Sequence, residues 1–225
     1  MRRAVVLLVG VFWASPLFAQ DAPIISLRPF LDVSAEKFLA VKTFDAVFGE
    51  TSVSSWGGGL QVTGWRGRIY GEVGASRLLK KNNELVGQRV FVSDGQVYKL
   101  GIPLRSTLKP IEFVGGYRFV DLTPRLVPYV GVGFGSYHYT EQSDFADPSE
   151  NLDVTHRGGI FQGGVEVRAT RWVGVAVDAQ YTHVPGILGT GGASEAFVTS
   201  LSGTQASRER DLGGWAARVK IVVGR

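Results

Sequence analysis

Cysteine is absent from the 225 residues, and no long apolar run follows the first twenty. The first absence excludes disulfide staples. The second excludes a membrane helix downstream of residue 20, because a span needs about 20 consecutive apolar residues. Charge of one sign is also in short supply: 24 Lys and Arg stand against 20 Asp and Glu, a net charge of +4. Loss of Arg2 and Arg3 with a leader would leave about +2, which gives no argument for nucleic acid as a partner. Long amphipathic helices are missing too. Only EKFLAVKTFDAVFG (36–49) has helical spacing, with Phe38, Val41, Phe44 and Phe48 on one face.

The first twenty residues, MRRAVVLLVGVFWASPLFAQ, join a basic start (Arg2, Arg3) to an apolar core and end in Pro16 and Ala19. That order and length describe a secretory signal peptide over residues 1–20, with residues 21–225 as the exported domain. The rest is rich in glycine, 30 in all, and 11% aromatic, the composition of a glycine-punctuated sheet protein.

Period-2 alternation predicts eight strands: 26–36, 56–65, 68–78, 104–119, 128–141, 157–168, 171–183 and 211–224. Their connections alternate between short and long. Strands two and three meet at Arg66–Gly67, four and five across 120–127, and six and seven near Ala169–Thr170. The others, 37–55, 79–103, 142–156 and 184–210, are long, so all long loops leave from one end. RVFVSDGQVYKL in the second long loop reads as a hairpin around Asp94–Gly95 that extends beyond the strands. The expected fold class is all-β, an eight-stranded antiparallel up-and-down transmembrane β-barrel with short turns at one end. An even strand number leaves both termini on the short-turn side.

Each strand carries one apolar and one charged face. RWVGVAVDAQYTH (171–183) puts Val173, Val175, Val177, Ala179 and Tyr181 opposite Gly174, Ala176, Asp178, Gln180 and Thr182. In a membrane barrel the valines face lipid and Asp178 faces inward. A soluble, lipocalin-like container would reverse that orientation. Aromatic girdles favour the membrane: Trp65, Tyr117, Phe119, Tyr129 and Trp172 near the short turns, Tyr137, Tyr139 and Tyr181 near the long loops. The inward charges are then Arg28, Glu72, Glu112, Arg118, Glu166, Arg168, Asp178, Arg218 and Lys220. A barrel of eight strands is just wide enough to be filled by side chains, so these charges are expected to pair as an interior network.

With GGYRF (115–119) and PYVGVGFG (128–135) on such strands, the chain resembles the small eight-stranded outer-membrane barrels of the OmpA transmembrane domain, OmpX and OmpW group. The resemblance implies insertion in the outer membrane by the barrel-assembly machinery, periplasmic termini and a monomer among outer-membrane lipids. The loop cations Lys80, Lys81, Arg89, Arg157, Arg208 and Arg210 read either as contacts for lipopolysaccharide phosphates or as solvated loop charges. Such barrels usually end in an aromatic residue, whereas this chain ends VKIVVGR. A structural or surface-interaction role stands first. A narrow OmpW-like path for small or apolar molecules is the alternative, and a lipid-modifying enzyme using Ser136, His138 and Glu141 is the third reading. No cofactor is expected. A metal site at His138, His156 and His183, helped by Asp144, Asp147 or Asp153, lacks ligand spacing. The run Gly131-x-Gly133-x-Gly135 is not a phosphate loop. It is expected to make room inside for large side chains.

Overall fold

A computed structural model describes residues 25–93, 96–123, 125–145, 151–186 and 203–224. The expected signal peptide, Asp94–Gly95 and Asp147 lie outside them. The strands are β1 (Ile25–Phe38), β2 (Ser52–Gly64), β3 (Ile69–Leu78), β4 (Leu85–Ser93), β5 (Gln96–Arg118), β6 (Leu126–Gln142), β7 (Leu152–Arg168), β8 (Val173–His183) and β9 (Gly214–Val223). Among the described residues two short α-helices sit in the loops, α1 (Val41–Phe48) and α2 (Thr204–Arg208).

All pairings are antiparallel. The order is β3-β2-β1-β9-β8-β7-β6-β5-β4, and β3 also pairs with β5. That last pairing closes an eight-stranded barrel. The ninth strand, β4, stays outside the ring: β5 spends Ile111–Tyr117 on β3 and Gln96–Ser106 on β4. The hairpin read around Asp94–Gly95 is therefore β4 joined to the far end of β5. It carries a bulge between Gln88 and Val90, and Gly101 opposite takes φ +71°.

Alternation within each strand assigns the faces. On β1, Ile25, Leu27, Leu31 and Val33 are exposed, while Ser26, Arg28 and Phe30 are buried. On β8, Val175 and Val177 are exposed and Ala176 and Asp178 buried. On β9, Val219, Ile221 and Val223 face out against Arg218, Lys220 and Val222. The apolar faces thus point outward. The inward side of the ring is too narrow to take them together with nine charges.

Short connections lie at one end, residues 65–68, 119–125 and 169–172, and long ones at the other. The first hairpin turns on Trp65 and Arg66, both with positive φ (47° and 58°), and Gly67 donates its N–H to the Gly64 carbonyl at 2.9 Å. The turn therefore begins one residue earlier than Arg66–Gly67. Its two left-handed central residues match the twist of the flanking strands.

The girdles differ from the sequence expectation. Trp65, Phe119 and Trp172 are exposed near the short turns, and Tyr117 lies on the outward face with them. Tyr129, Tyr137 and Tyr139 point inward and are buried. The ring near the long loops is made by Trp56, Tyr181 and Trp215 instead, with Tyr181 packed on Trp215 at 4.8 Å between centroids. The reason lies in β6 itself. Its inward glycines 131, 133 and 135 share the parity of the three tyrosines, and a Cβ on Gly131 or Gly135 would strike the Tyr70 hydroxyl or the Tyr137 ring. These glycines make room, as their spacing suggested.

Gly116 and Gly71 make a paired test of this packing. A methyl on Gly116 would overlap the Val130 carbonyl and the Tyr70 ring, whereas one on Gly71 meets nothing within 4 Å. Gly116→Ala is expected to lower the urea midpoint of unfolding by an amount worth about 1–3 kcal/mol, and Gly71→Ala to leave it within about 0.5 kcal/mol. Equal effects would remove the steric account.

Candidate functional site: a charged interior beneath an apolar cap

The inward side chains form three levels along the barrel axis. Nearest the short turns, Glu166 holds two guanidinium groups. Arg28 reaches its two oxygens at 2.5 and 2.9 Å, and Arg118 reaches Oε2 at 2.7 Å. One carboxylate thereby ties β1, β5 and β7 together. Arg118 also donates to the Gly67 carbonyl at 3.2 Å. A Cβ on Gly174 would press on this Glu166 carboxylate, so the glycine on the next strand keeps its seat open. Arg168 shares the level but makes none of these bonds.

Gln61 passes the network upward. It accepts from Arg28 at 2.8 Å and donates to Glu72 at 3.3 Å. In the middle level Lys220 contacts Glu72 at 2.8 and 3.0 Å and lies 3.3 Å from Asp178. Asp178 also accepts from Arg218 Nε at 2.7 Å and from the Tyr129 hydroxyl at 2.6 Å. Gln162 accepts from Arg218 and donates to Tyr70 at 2.8 Å. Lys220 stands over the rings of Phe30 and Tyr129 at 5.3 and 5.8 Å, a cation–π placement that offsets part of its desolvation.

The upper level is acidic. Glu112 is held by Gln180 Nε2 at 2.9 and 3.1 Å and by the Tyr137 hydroxyl at 2.9 Å, and Arg218 Nη1 stands 3.6 Å away. Asp32 and Glu36 face the same space from β1, without an ion pair within 4 Å among the described residues. Together with Ser34, Ser55 and Thr182 they line a cavity of about 50 Å³, room for roughly three or four waters.

Above the cavity the interior turns apolar. Phe38, Phe44, Leu78, Leu108, Tyr139 and Leu212 belong to one buried cluster, in which Phe38 and Phe44 stack at 3.8 Å. Phe44 comes from α1, a helix with no side-chain cap of its own. Glu209, 166 residues away, supplies one: it accepts from the backbone N–H groups of Lys42 (3.3 Å) and Thr43 (3.0 Å) and from the Thr43 hydroxyl (2.9 Å). Asp211 anchors the same loop by accepting from Val184 N–H and Gly213 N–H, both at 2.8 Å, and by contacting His183. The helix expected over 36–49 is thus shorter. Phe38 ends β1, Val41 is partly exposed, and the buried side is Thr43, Phe44 and Ala46.

All nine charges read from the sequence point inward, and eight of them share one connected set of contacts. Sequence reasoning missed Asp32, Glu36 and Gln61. The signal was present, because Asp32 and Glu36 share the parity of Arg28 while Leu27, Leu31 and Val33 hold the other. The enzyme trio separates: Ser136 and His138 lie on the outer wall, and Glu141 points inward to accept from Tyr139 at 2.5 Å. The three histidines also diverge, with His138 and His183 outward and His156 inward. His138 lies 3.6 Å from Asp153, and among the described residues no group of three His, Asp or Glu side chains could hold a metal ion.

No family model matches the chain, and no curated protein does. Among solved structures, the chain is similar to Neisserial surface protein A (11% identity, TM-score 0.47, 90% of this chain and 96% of that one). It is also similar to Ail, the attachment invasion locus protein of Yersinia pestis (9%, 0.42, 89% and 96%). A third is the outer membrane protein OprG from Pseudomonas aeruginosa (12%, 0.49, 89% and 95%). The eight-stranded ring itself is given by this chain's own strand pairing.

Removing one partner of a buried ion pair costs far more than the pair contributes, because a charge is left uncompensated. Glu166→Ala, which strands Arg28 and Arg118, is expected to cost about 3–5 kcal/mol in urea unfolding. Arg168→Ala should cost under about 1 kcal/mol. Similar losses for both would mean that Glu166 is not the tie.

Glu141, above the apolar band, gives a pH-dependent case. Burial pushes its carboxyl above the ordinary range, against the opposing hydrogen bond from Tyr139 and the charge of Arg89. A carboxyl raised in the folded state contributes stability below its unfolded pKa and loses it as pH rises through the folded value. Glu141→Gln is therefore expected to raise the melting temperature at pH 8 and to leave it unchanged at pH 4. A gain of the same size at both values would contradict this.

Proposed function

We propose that this chain is an outer-membrane β-barrel with a structural or surface-interaction role: a closed, monomeric cylinder that presents loops and a tall hairpin to the outside. The observation that carries the reading is the combination of an outward apolar wall with an interior filled by ion pairs. Leu31, Val177 and Ile221 are 68%, 57% and 53% exposed, surface that water would disfavour by about 25 cal/mol per Å² and that lipid accepts. Outward-facing aromatic residues stand at both rims of the apolar wall, Trp65, Phe119 and Trp172 by the short turns and Trp56, Tyr181 and Trp215 by the long loops, the arrangement that membrane interfaces attract. In this reading residues 1–20 direct export, the assembly machinery inserts the barrel, and the short turns and both ends of the barrel segment lie in the periplasm.

A transport path would need an open apolar pocket at the loop end. The cavity there is small, lined by Asp32, Glu36 and Glu112, and bordered by Leu108 and Leu212 of the apolar cluster that also holds Phe38 and Phe44. The Glu166 level closes the axis a second time below it. Two closures in series favour the structural role over transport.

The purified, refolded protein is expected to migrate differently on gels before and after boiling, to fractionate with outer membranes, and to give no resolved conductance steps in planar bilayers. The double variant Phe44→Ala/Glu209→Ala, which loosens the cap, should remain silent because the Arg28–Glu166–Arg118 level still closes the barrel. Stable conductance steps in the parent protein would favour the transport reading, and recovery in the soluble periplasmic fraction would overturn the membrane reading.

A further inference from the structure

The outer wall changes character abruptly on three neighbouring strands. Below the change, Ile111 and Phe113 of β5, Phe134 of β6 and Phe161 of β7 are exposed apolar side chains, and Phe113 stacks on Phe134 at 5.4 Å. Immediately above stand Lys109 on β5, Ser136 and His138 on β6, and Thr155 and Arg157 on β7. The register places Lys109 opposite His138, Ser136 opposite Arg157, and His138 opposite Thr155.

Directly opposed side chains on an antiparallel sheet begin about 5 Å apart. Lys109 and Arg157 flank β6 at roughly 12 Å, two strand spacings across and two residues along. Both are exposed, and neither makes an ion pair within 4 Å among the described residues. Their chains are long enough to meet over the Ser136 hydroxyl. His138 bonds the Thr155 hydroxyl at 3.3 Å, and Asp153 stands 3.6 Å away on the side farther from the apolar wall. Below the patch, Gly159 leaves an opening: a Cβ there would meet nothing within 4 Å.

We propose that Lys109, Ser136, His138, Thr155 and Arg157 form a binding site for the phosphate of an outer-leaflet glycolipid, whose acyl chains lie along Ile111, Phe134, Gly159 and Phe161. This rests on the membrane placement proposed above. Two cations and three short polar side chains on one sheet face suit a phosphate, because charge-assisted bonds to its oxygens are strong and a guanidinium can grip two of them. An apolar wall directly beneath suits an amphiphile rather than a free anion. The site differs from the loop cations suggested by the sequence: of those, Lys80 is taken by Glu50 at 2.5 Å, and only Arg157 is part of this patch.

The test uses the full chain in nanodiscs of neutral phosphatidylcholine, with folding checked by the shift of the unheated band. Retention of bisphosphorylated lipid A is compared with that of the same lipid stripped of phosphates, and with competition by inorganic phosphate. The expected result is a preference of about tenfold or more for the phosphorylated lipid, lost in Lys109→Ala/Arg157→Ala and kept in Lys81→Ala/Lys99→Ala. Equal retention of both lipids overturns the site. So does an equal loss in the Lys81/Lys99 variant, which would signal diffuse charge. Full competition by millimolar inorganic phosphate would assign the site to the free anion instead. A chain that does not insert at all overturns the membrane placement and this site with it, whereas insertion without preference overturns the site alone.

Discussion

An eight-stranded ring leaves little room inside for water to solvate a charge, so most of the ionised groups there pair with a counter-charge across the axis, while Asp32 and Glu36 line a small cavity instead. Glu166 shows what that constraint does. It serves Arg28 from β1 and Arg118 from β5 at once, and a Cβ on Gly174 next to it would press on that carboxylate. Glu72, Asp178, Lys220 and Arg218 repeat the principle one level up, drawing β3, β8 and β9 together. The contacts that neutralise the interior are therefore also the contacts that fix which strand faces which across the ring.

The three levels are unequal in charge. Three guanidinium groups surround one carboxylate near the short turns. Two cations face two carboxylates in the middle. Above them stand Asp32, Glu36 and Glu112, of which Glu112 lies 3.6 Å from Arg218. The apolar cap belongs to the same design. Lying over the acidic level, Phe38, Phe44 and Leu212 separate it from the solvent at the loop end.

Much of this was legible from residue alternation. Valines 173–177 announced their face because Asp178 and Gln180 sat on the other, and the alternation of short and long connections announced the ring. Legibility failed where both faces of a strand are apolar. In PYVGVGFGSYHYT, tyrosines and valines alternate, so hydropathy cannot choose the lipid side. The choice is made by volume: Tyr129, Tyr137 and Tyr139 share the parity of three glycines and enter a space those glycines vacate. The closure between β3 and β5, which leaves β4 outside the ring, depends on long-range pairing that no local pattern encodes. The Glu209 cap of α1 is invisible for the same reason, since a carboxylate 166 residues away leaves no trace in the helix's own sequence.

That cap has a consequence for the order in which the molecule assembles. A helix of eight residues is too short to hold itself in water, and its N-terminal amides are satisfied by a loop that exists in place only once β8 and β9 have joined the ring. Loop closure over so long a separation carries an entropic cost that local contacts cannot offset beforehand. The plug is therefore a late event. While the strands are pairing the cylinder stays open at its loop end, and water can leave the interior as the ion pairs form, before the last turn of chain shuts the exit behind it.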